Sequence, residues 1–360
     1  MKINTTASFG ASELSIQRNA TKCPVKGCNS EHINEVKKTK SGKIRQVFYC
    51  PQHGLEIRPD TFIYYNGASN EERRQAKLRN LLPALREFSG LWILGNKNKA
   101  ESHRLGYENS EDALSLNIFG WLHLNKQLPC IYQRWTGVKV HHDQLKLFLW
   151  GMEIDFSGKP LEVWGPLQQV RESLESDVGR FKTEPDIMIL GPTHLVCIEA
   201  KFTSGNPLCV EKSNKPGEKP KSVELHKERY IISNNLWQKP VLTPDDIVGC
   251  KIHSQLLRMI VFTSTMTQLY NNKLDWCVVN LVSQTQWNKR ISPQCGYDFH
   301  DPSDYIPANI RNHFHFDTWE RLYAGVLDDQ PGFETLAKYM KTKTANLQPA
   351  FNLPKEHFIP

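Results

Sequence analysis

The sequence predicts an α/β fold, in which a mixed central sheet is flanked by helices and preceded by a small module with paired Cys and His residues. Two observations predict the sheet: apolar runs on both sides of Gly191-Pro192-Thr193 form a hairpin pattern, and amphipathic helical segments precede and follow it. Two short Cys/His pairs within the first 54 residues predict the separate module. At 360 residues the chain is about twice the usual domain length, so we expect two domains or one large decorated domain.

The composition is typical of a folded chain whose charge is unevenly distributed. With 39% hydrophobic and 23% charged residues, wholesale disorder is excluded. No segment approaches the roughly 18 to 20 apolar residues of a membrane span, and residues 1–21 lack an apolar signal-peptide core. We therefore expect a cytoplasmic protein without membrane association. Residues 1–100 carry a net charge of +9 and residues 101–360 a net charge of −2, so the basic front section predicts a polyanionic partner.

The front module carries two clips of metal-ligating residues. Cys23 and Cys28 form the first, Cys50 and His53 form the second, and 21 residues separate the clips, which suits a tetrahedral Zn²⁺ site on a hairpin. Thiolate and imidazole ligands favour zinc over magnesium or calcium. His32 is an alternative to His53 as the fourth ligand. Four protein ligands predict a structural zinc, whose binding drives the folding of this small module.

Basic side chains accumulate between the two clips and again in the helix predicted after Ser69. An exposed hairpin and a helix with such charges favour contacts to nucleic-acid phosphates, which provide affinity without sequence choice. A solvated surface is the alternative interpretation of the same charges. The residues predicted to contact nucleic acid are Lys37, Lys38, Lys40, Lys43 and Arg45 in the hairpin, and Arg73, Arg74 and Lys77 in the helix.

The predicted hairpin in the middle of the chain carries two carboxylates and a lysine at its open end. A three-residue loop puts Asp186 opposite Ile198, and a loop one residue longer puts it opposite Glu199. In either register the two carboxylates meet, with their backbones about 5 Å apart. Because side chains alternate along a strand, Glu199 and Lys201 share one face.

Two carboxylates and a lysine in this arrangement suit phosphodiester hydrolysis. Carboxylate oxygens can hold Mg²⁺ or Mn²⁺ and leave positions for water and a substrate phosphate. The metal lowers the pKa of a bound water and neutralises developing charge. A neighbouring lysine can position the attacking water or stabilise the pentacovalent phosphorus. The alternative interpretation is a surface hairpin with a Glu–Lys salt bridge.

A helix predicted to begin at Ser110 offers a third carboxylate. Glu111 falls on the same side as the apolar stripe of Leu114, Ile118 and Trp121. A carboxylate on a core-facing stripe is uncommon unless it is paired or binds a metal. The alternative is an acid that only interacts with the positive end of the helix dipole.

The residues Pro185-Asp186 and Glu199-Ala200-Lys201, about a dozen residues apart, resemble the motif of the PD-(D/E)XK superfamily of restriction-endonuclease-like nucleases. The resemblance covers about residues 108–285 and implies a restriction-endonuclease-like core. It implies that Asp186, Glu199 and Glu111 hold Mg²⁺ or Mn²⁺ and that Lys201 orients or activates the nucleophile. It further implies that Gln255, in a later helix, helps to position that nucleophile.

These assignments divide the chain into four parts and predict a nuclease. The parts are a zinc-ribbon-like nucleic-acid-binding module at 1–66, a basic helical linker at 67–105, the nuclease core at 106–296 and a strand and helix extension at 297–360. The resemblance implies a Mg²⁺-dependent endonuclease that acts on DNA in preference to RNA, in restriction or anti-phage defence, with a homodimer or other defence subunits as compatible partners. The alternatives are an inactive nucleic-acid-binding platform, a structure-specific recombination or repair nuclease, and an RNA-cleaving enzyme.

Overall fold

The chain forms two compact units. The first comprises residues 1–121, 156–160 and 323–360, and the second comprises residues 122–155 and 161–322. The computed structural model describes residues 22–25, 27–31, 33–38, 42, 44–57, 62–64, 69–86, 103–154, 162–179, 182–202, 223–247, 254–284, 306–323, 334–336 and 339–340. No helix within these segments is both long and apolar enough to cross a membrane.

Some of the predicted features lie outside the described residues. They are the alternative zinc ligand His32, the hairpin residues Lys40 and Lys43, and the chain between Phe202 and Val223. For Lys37, Lys38, Arg45, Arg73 and Arg74, the structure describes the backbone alone.

A four-stranded antiparallel sheet dominates the first unit, and its strands follow one another in chain order. Cys50, Leu55, Phe62 and Tyr64 from these strands join Val25 and Ala76 in one buried apolar cluster. The hairpin predicted between the clips is therefore confirmed, and the metal-ligand clips lie against the same small core. The strands are β1 Ile33–Lys38, β2 Ile44–Cys50, β3 Leu55–Ile57 and β4 Phe62–Tyr64.

Helix α1, Asn70–Arg79, begins where the capping pattern of the sequence predicts. The Ser69 side chain accepts a hydrogen bond from the Glu72 backbone N–H, and the Glu72 carboxylate accepts one from the Ser69 backbone N–H at 2.9 Å. These reciprocal bonds satisfy two of the backbone donors that a helix start leaves without partners.

The helix predicted at Ser110 is also present. The Ser110 side chain accepts a hydrogen bond from the Ala113 backbone N–H and starts α2, Glu111–Ser115. The chain then continues as a π-helix at Leu116–Gly120 and as α3, Trp121–Leu124. The sequence pattern did not predict the π-helical segment, because a single π-helical turn leaves the side chains roughly on the period of an α-helix.

The second unit contains a six-stranded mixed sheet, whose strands are β5 Lys146–Leu149, β6 Met152–Glu153, β7 Ile187–Leu190, β8 His194–Ala200, β9 Asp275–Val282 and β10 Phe314–Thr318. Across the sheet they lie in the order β10-β9-β8-β7-β5-β6. The strands β8, β9 and β10 are parallel to one another, whereas β7, β5 and β6 join antiparallel. A mixed central sheet flanked by helices is the coarse architecture that the sequence predicts.

One face of this sheet packs against two helices of the same unit, and the interface is a single buried apolar cluster. Leu195 and Cys197 of β8 belong to it, so by strand alternation Glu199 continues that face at the end of β8. The helices of the unit are α4 Leu128–Thr136, α5 Gly165–Leu174, α6 Val223–Lys227 with a π-helical continuation at Glu228–Ile232, α7 Ser254–Tyr270 and α8 Trp319–Leu322. The cluster draws on α5 and α7.

The strand expected in the C-terminal extension joins the central sheet. β10 pairs in parallel with β9, and the residue opposite Phe314 is Val278. Part of the segment that we predicted as an extension from residue 297 is thus the sixth strand of the second unit. Parallel pairing leaves no local sequence pattern, because the paired residues are far apart in the chain.

Candidate metal centres

The four predicted zinc ligands come together in the first unit. Their ligand atoms all lie within 4.8 Å of one another. The Sγ atoms of Cys28 and Cys50 are 3.7 Å apart, and Nδ1 of His53 lies 3.4 Å from Sγ of Cys23 and 3.4 Å from Sγ of Cys50. Tetrahedral zinc would set S···S at about 3.8 Å and S···N at about 3.5 Å, from Zn–S near 2.3 Å and Zn–N near 2.0 Å. The cluster has these dimensions and could bind a metal such as zinc.

Two glycines shape the backbone beside these ligands. Gly27, immediately before Cys28, has a φ of 74°, and Gly54, immediately after His53, has a φ of 60°. Both angles lie in the left-handed region, which glycine adopts without the penalty that a Cβ atom imposes. The Cys28 backbone N–H donates to the Val25 carbonyl at 3.2 Å and closes the first turn.

The thiols of the cluster are electrostatically coupled. A hydrogen bond between Cys23 and Cys50 holds the pKa of the Cys50 thiol well below its ordinary value and raises that of Cys23. A thiolate is the form that ligates a metal, so metal binding at this cluster would release protons from the thiols.

Arg79, at the end of α1, anchors the second clip. Its guanidinium donates to the carbonyl oxygens of His53 at 2.7 Å and Gly54 at 3.1 Å, and it lies 4.7 Å above the ring centre of Tyr64. The residue is only 4% exposed, and burial lowers its pKa to about 10. A buried cation needs hydrogen-bond partners, and the two carbonyl oxygens supply them. Arg79 thereby fixes the backbone of a predicted metal ligand 26 residues away, which no local pattern indicates.

The predicted nucleic-acid contacts differ in how the structure places them. Strand pairing sets Lys37 opposite Arg45 and Lys38 opposite Ile44, so the basic residues gather on one hairpin. Lys77 is buried, with 7% exposure, whereas a phosphate contact needs an accessible ammonium group. The burial of Lys77 therefore argues against its predicted phosphate contact.

The second cluster forms at the open end of the β7–β8 hairpin. Leu190 pairs with Leu195, so the loop is the longer of the two alternatives, and Asp186 lies opposite Glu199. The Asp186 carboxylate accepts a hydrogen bond from the Ala200 backbone N–H at 2.9 Å. The two carboxylates that the sequence predicts to meet are thus neighbours on adjacent strands.

Lys201 completes this cluster. Its Nζ lies 2.6 Å from Oε1 of Glu199, and the two residues are 9% and 5% exposed. The Lys201 backbone is held on both sides, because its N–H donates to the Leu281 carbonyl at 2.8 Å and its carbonyl accepts from Trp319 Nε1 at 3.0 Å. A buried ion pair with a fixed backbone differs from the surface salt bridge that was the alternative interpretation.

The donor set suits a hard divalent cation. Carboxylate oxygens are the ligands that Mg²⁺ and Mn²⁺ prefer. Each carboxylate oxygen has two lone pairs, so the bond from Ala200 to Asp186 and the ion pair of Lys201 with Glu199 are compatible with metal coordination by the same groups. The residues present therefore fit the predicted metal.

Two buried neighbours of this cluster were not predicted. Asn280 is fully buried and pairs in register with Glu199 across β8 and β9. A single amide in the otherwise apolar run that ends at Val282 is the sequence signal that could have identified it. The second is Trp150, which has a φ of 54° and whose backbone N–H donates to the Asp186 carbonyl at 3.2 Å. Left-handed backbone at a large residue is costly and recurs at functional sites.

The roles of Glu111 and Gln255 stay predictions. Glu111 is half-buried in the first turn of α2, in the first unit. Gln255 is half-buried in the first turn of α7, three residues before Arg258, whose guanidinium donates to the Thr183 hydroxyl at 3.4 Å. Among the described residues, no hydrogen bond joins Gln255 to Asp186 or Glu199.

The chain was compared with protein-family models, with curated proteins and with solved structures, and no match was found. Its function is therefore inferred from the two residue clusters themselves.

Proposed function

We propose that the protein is a metal-dependent nuclease that hydrolyses phosphodiester bonds, with DNA as the substrate. Asp186 and Glu199 hold Mg²⁺ or Mn²⁺, and Lys201 acts on the nucleophile. The observation that carries the proposal is the strand register, which sets the two carboxylates opposite each other with Lys201 bonded to one of them. The choice of DNA over RNA follows the resemblance to PD-(D/E)XK enzymes.

The order of elements around the cluster supports this proposal. Antiparallel strands β5, β7 and β8 are followed by α6 and then by helix α7, and α7 leads to β9, which is parallel to β8. A helix that returns between two parallel strands begins near the carboxyl end of the first strand. The first turn of α7, which contains Gln255, thus lies towards the end of the sheet that carries Glu199, and this supports the proposed role of Gln255.

Asp186, Glu199 and Lys201 have separate roles in the proposed reaction. When bound, the divalent ion supplies a water of lowered pKa and neutralises phosphate charge. Asp186, fixed by the Ala200 N–H, and Glu199, fixed by Lys201, present their oxygens from adjacent strands. The Lys201 ammonium donates to the attacking water or to a phosphate oxygen as negative charge develops there. The burial of Glu199 and Lys201 keeps bulk water from weakening the charges of this pair.

In this proposal the N-terminal module binds the nucleic acid. We assign structural Zn²⁺ to Cys23, Cys28, Cys50 and His53, because all four ligand positions are protein groups and none is left for substrate. The hairpin between the clips then presents basic residues to the phosphate backbone. The net charge of +9 over residues 1–100 supports a polyanionic partner.

A cleavage assay with matched variants tests the proposal. Purified full-length protein is incubated with plasmid, linear duplex, single-stranded and branched DNA and with RNA, with and without added Mg²⁺ or Mn²⁺. Glu199→Gln and Asp186→Asn should each reduce cleavage by at least about a hundredfold, as loss of an electrostatic catalytic group commonly does. Glu153→Gln is the control, since Glu153 lies on the edge strand β6 and, among the described residues, its carboxylate forms an exposed ion pair with Lys146.

The outcomes separate the alternatives. No cleavage of any substrate with either metal would refute the nuclease, and retained DNA binding would then favour an inactive platform. Cleavage confined to branched DNA or to RNA would assign the repair-type or RNA-cleaving alternative. Equal cleavage by wild type and Glu199→Gln would place the activity outside this cluster.

A further inference from the structure

A buried polar network precedes Asp186 in the chain. Glu175 is fully buried, and its carboxylate accepts hydrogen bonds from the Thr183 backbone N–H at 2.6 Å, the Thr183 hydroxyl and the Tyr230 hydroxyl at 2.9 Å. Burial raises the pKa of Tyr230 to about 12, so its hydroxyl remains a donor at neutral pH. Three donors therefore converge on one carboxylate, and two of them belong to a single residue.

Two arginines extend the network to helices α5 and α7. Arg171 Nε donates to the Thr183 carbonyl at 2.7 Å, and its NH2 atom lies 3.7 Å from the Glu184 carboxylate. Arg258 donates to the Thr183 hydroxyl at 3.4 Å. Each polar group of Thr183 is thus bonded to a side chain from another element. Pro185, which follows, restricts its own φ and the backbone of Glu184.

The placement of Glu175 is costly for stability alone. It caps the C-terminus of α5, where the helix dipole is negative and disfavours an anion. It is also removed from water, and a buried carboxylate is tolerated only when fully hydrogen-bonded. Arg171, in the last turn of α5, supplies compensating positive charge. The hydrogen bonds of this arrangement hold the segment 183–186, and its last residue, Asp186, is the proposed metal ligand.

We propose that Glu175 is a positioning residue for the divalent-metal site: with Tyr230 and Thr183 it holds the segment that carries Asp186, so that the Asp186 carboxylate faces Glu199. This inference rests on the proposed function. Groups that orient metal ligands from behind commonly contribute 10- to 100-fold to metal affinity. Loss of one hydrogen bond in the network should therefore weaken Mn²⁺ binding by about tenfold.

Mn²⁺ binding to the full-length, zinc-loaded protein, measured by electron paramagnetic resonance, tests the inference without relying on activity. Tyr230→Phe removes one donor to Glu175. Tyr132→Phe is the matched control, because the Tyr132 hydroxyl accepts from the His194 N–H at 2.8 Å and bonds Thr193 at 2.9 Å, at the closed end of the same hairpin. We expect about tenfold weaker Mn²⁺ binding in Tyr230→Phe and less than about a twofold change in Tyr132→Phe.

A second variant guards against a folding artefact. Thr183→Val keeps the shape and the backbone bond to Glu175 but removes the hydroxyl, and it should also weaken Mn²⁺ binding. In cleavage assays both variants should need more Mn²⁺ for half-maximal rate while approaching the wild-type rate at saturation, which a general loss of folded protein would not produce.

The results distinguish two failures. If wild type binds Mn²⁺ no better than Glu199→Gln, the proposed function fails and this inference falls with it. If wild type binds Mn²⁺ through Glu199, but Tyr230→Phe and Thr183→Val bind as well as wild type or no worse than Tyr132→Phe, the inference alone is overturned.

Discussion

Replacing Lys201 by Met should destabilise the protein and make its stability depend on divalent metal. The substitution removes the positive charge 2.6 Å from Glu199 and keeps a long unbranched side chain. Because both partners are buried, Glu199 is left as an uncompensated charge, which costs about 3–5 kcal/mol. For a unit of this size each kcal/mol lowers the melting temperature by about 2–4 °C, so a decrease of about 6–20 °C is expected.

Thermal unfolding followed by circular dichroism measures this effect, first in buffer without added Mg²⁺ or Mn²⁺. The double variant Glu199→Gln/Lys201→Met should recover at least half of the loss, since no buried charge is then left alone. Added Mn²⁺ should raise the melting temperature of Lys201→Met by more than that of wild type, because the cation replaces the missing positive charge and binds only the folded state.

Two results would refute this reasoning. An equal loss in the single and double variants would mean that Glu199 is not an uncompensated charge when Lys201 is absent. If Mn²⁺ raised the melting temperatures of Lys201→Met and of the double variant equally, Glu199 would not be a ligand of the metal.

Three further predictions concern other parts of the chain. Arg79→Ala should weaken zinc binding by about tenfold in competition with a chromophoric chelator, because the His53 turn loses its anchor; unchanged affinity would exclude the anchoring role. Gly191→Ala should cost about 1–3 kcal/mol in urea unfolding, since a Cβ there would lie 2.5 Å from the Tyr132 ring, whereas Gly165→Ala, which has open space, should not. Burial lowers the pKa of His315, so the unfolded state takes up protons first, and stability should fall as the pH drops below about 6.5. His315→Gln should flatten that dependence between pH 7 and 5, and an unchanged slope would contradict it.

The zinc-type cluster was predictable because its ligands lie in two short local clips. The spacing within Cys23–Cys28 and Cys50–His53 already sets the turn geometry, and the hairpin between them brings the clips together. Arg79, which holds the second clip, was not predictable as such. Its partners are backbone carbonyls, which every residue carries and no sequence pattern distinguishes.

The carboxylate pair was predictable to within one residue of register. Apolar alternation and the loop at Gly191 indicate the hairpin, but either loop length preserves those features. The structure has the longer loop. Tyr132, in helix α4 outside the hairpin, contacts this loop: its hydroxyl bonds the Thr193 hydroxyl and accepts a hydrogen bond from the His194 backbone N–H. The register that sets Glu199 opposite Asp186 is therefore read from the strand pairing and not from the sequence pattern.

By itself, the sequence determined the local units of this protein: the helix caps, the strand pattern, the ligand clips and the Asp, Glu and Lys at the end of one hairpin. Only the tertiary structure decided which of these charges are buried and what holds them. Glu175 reaches Thr183 and Tyr230 from separate elements, and Lys77 is buried although its helix is rich in charge. The physical reason is that caps and alternation act over a few residues, whereas burial and polar partners depend on packing between segments that are distant in the chain.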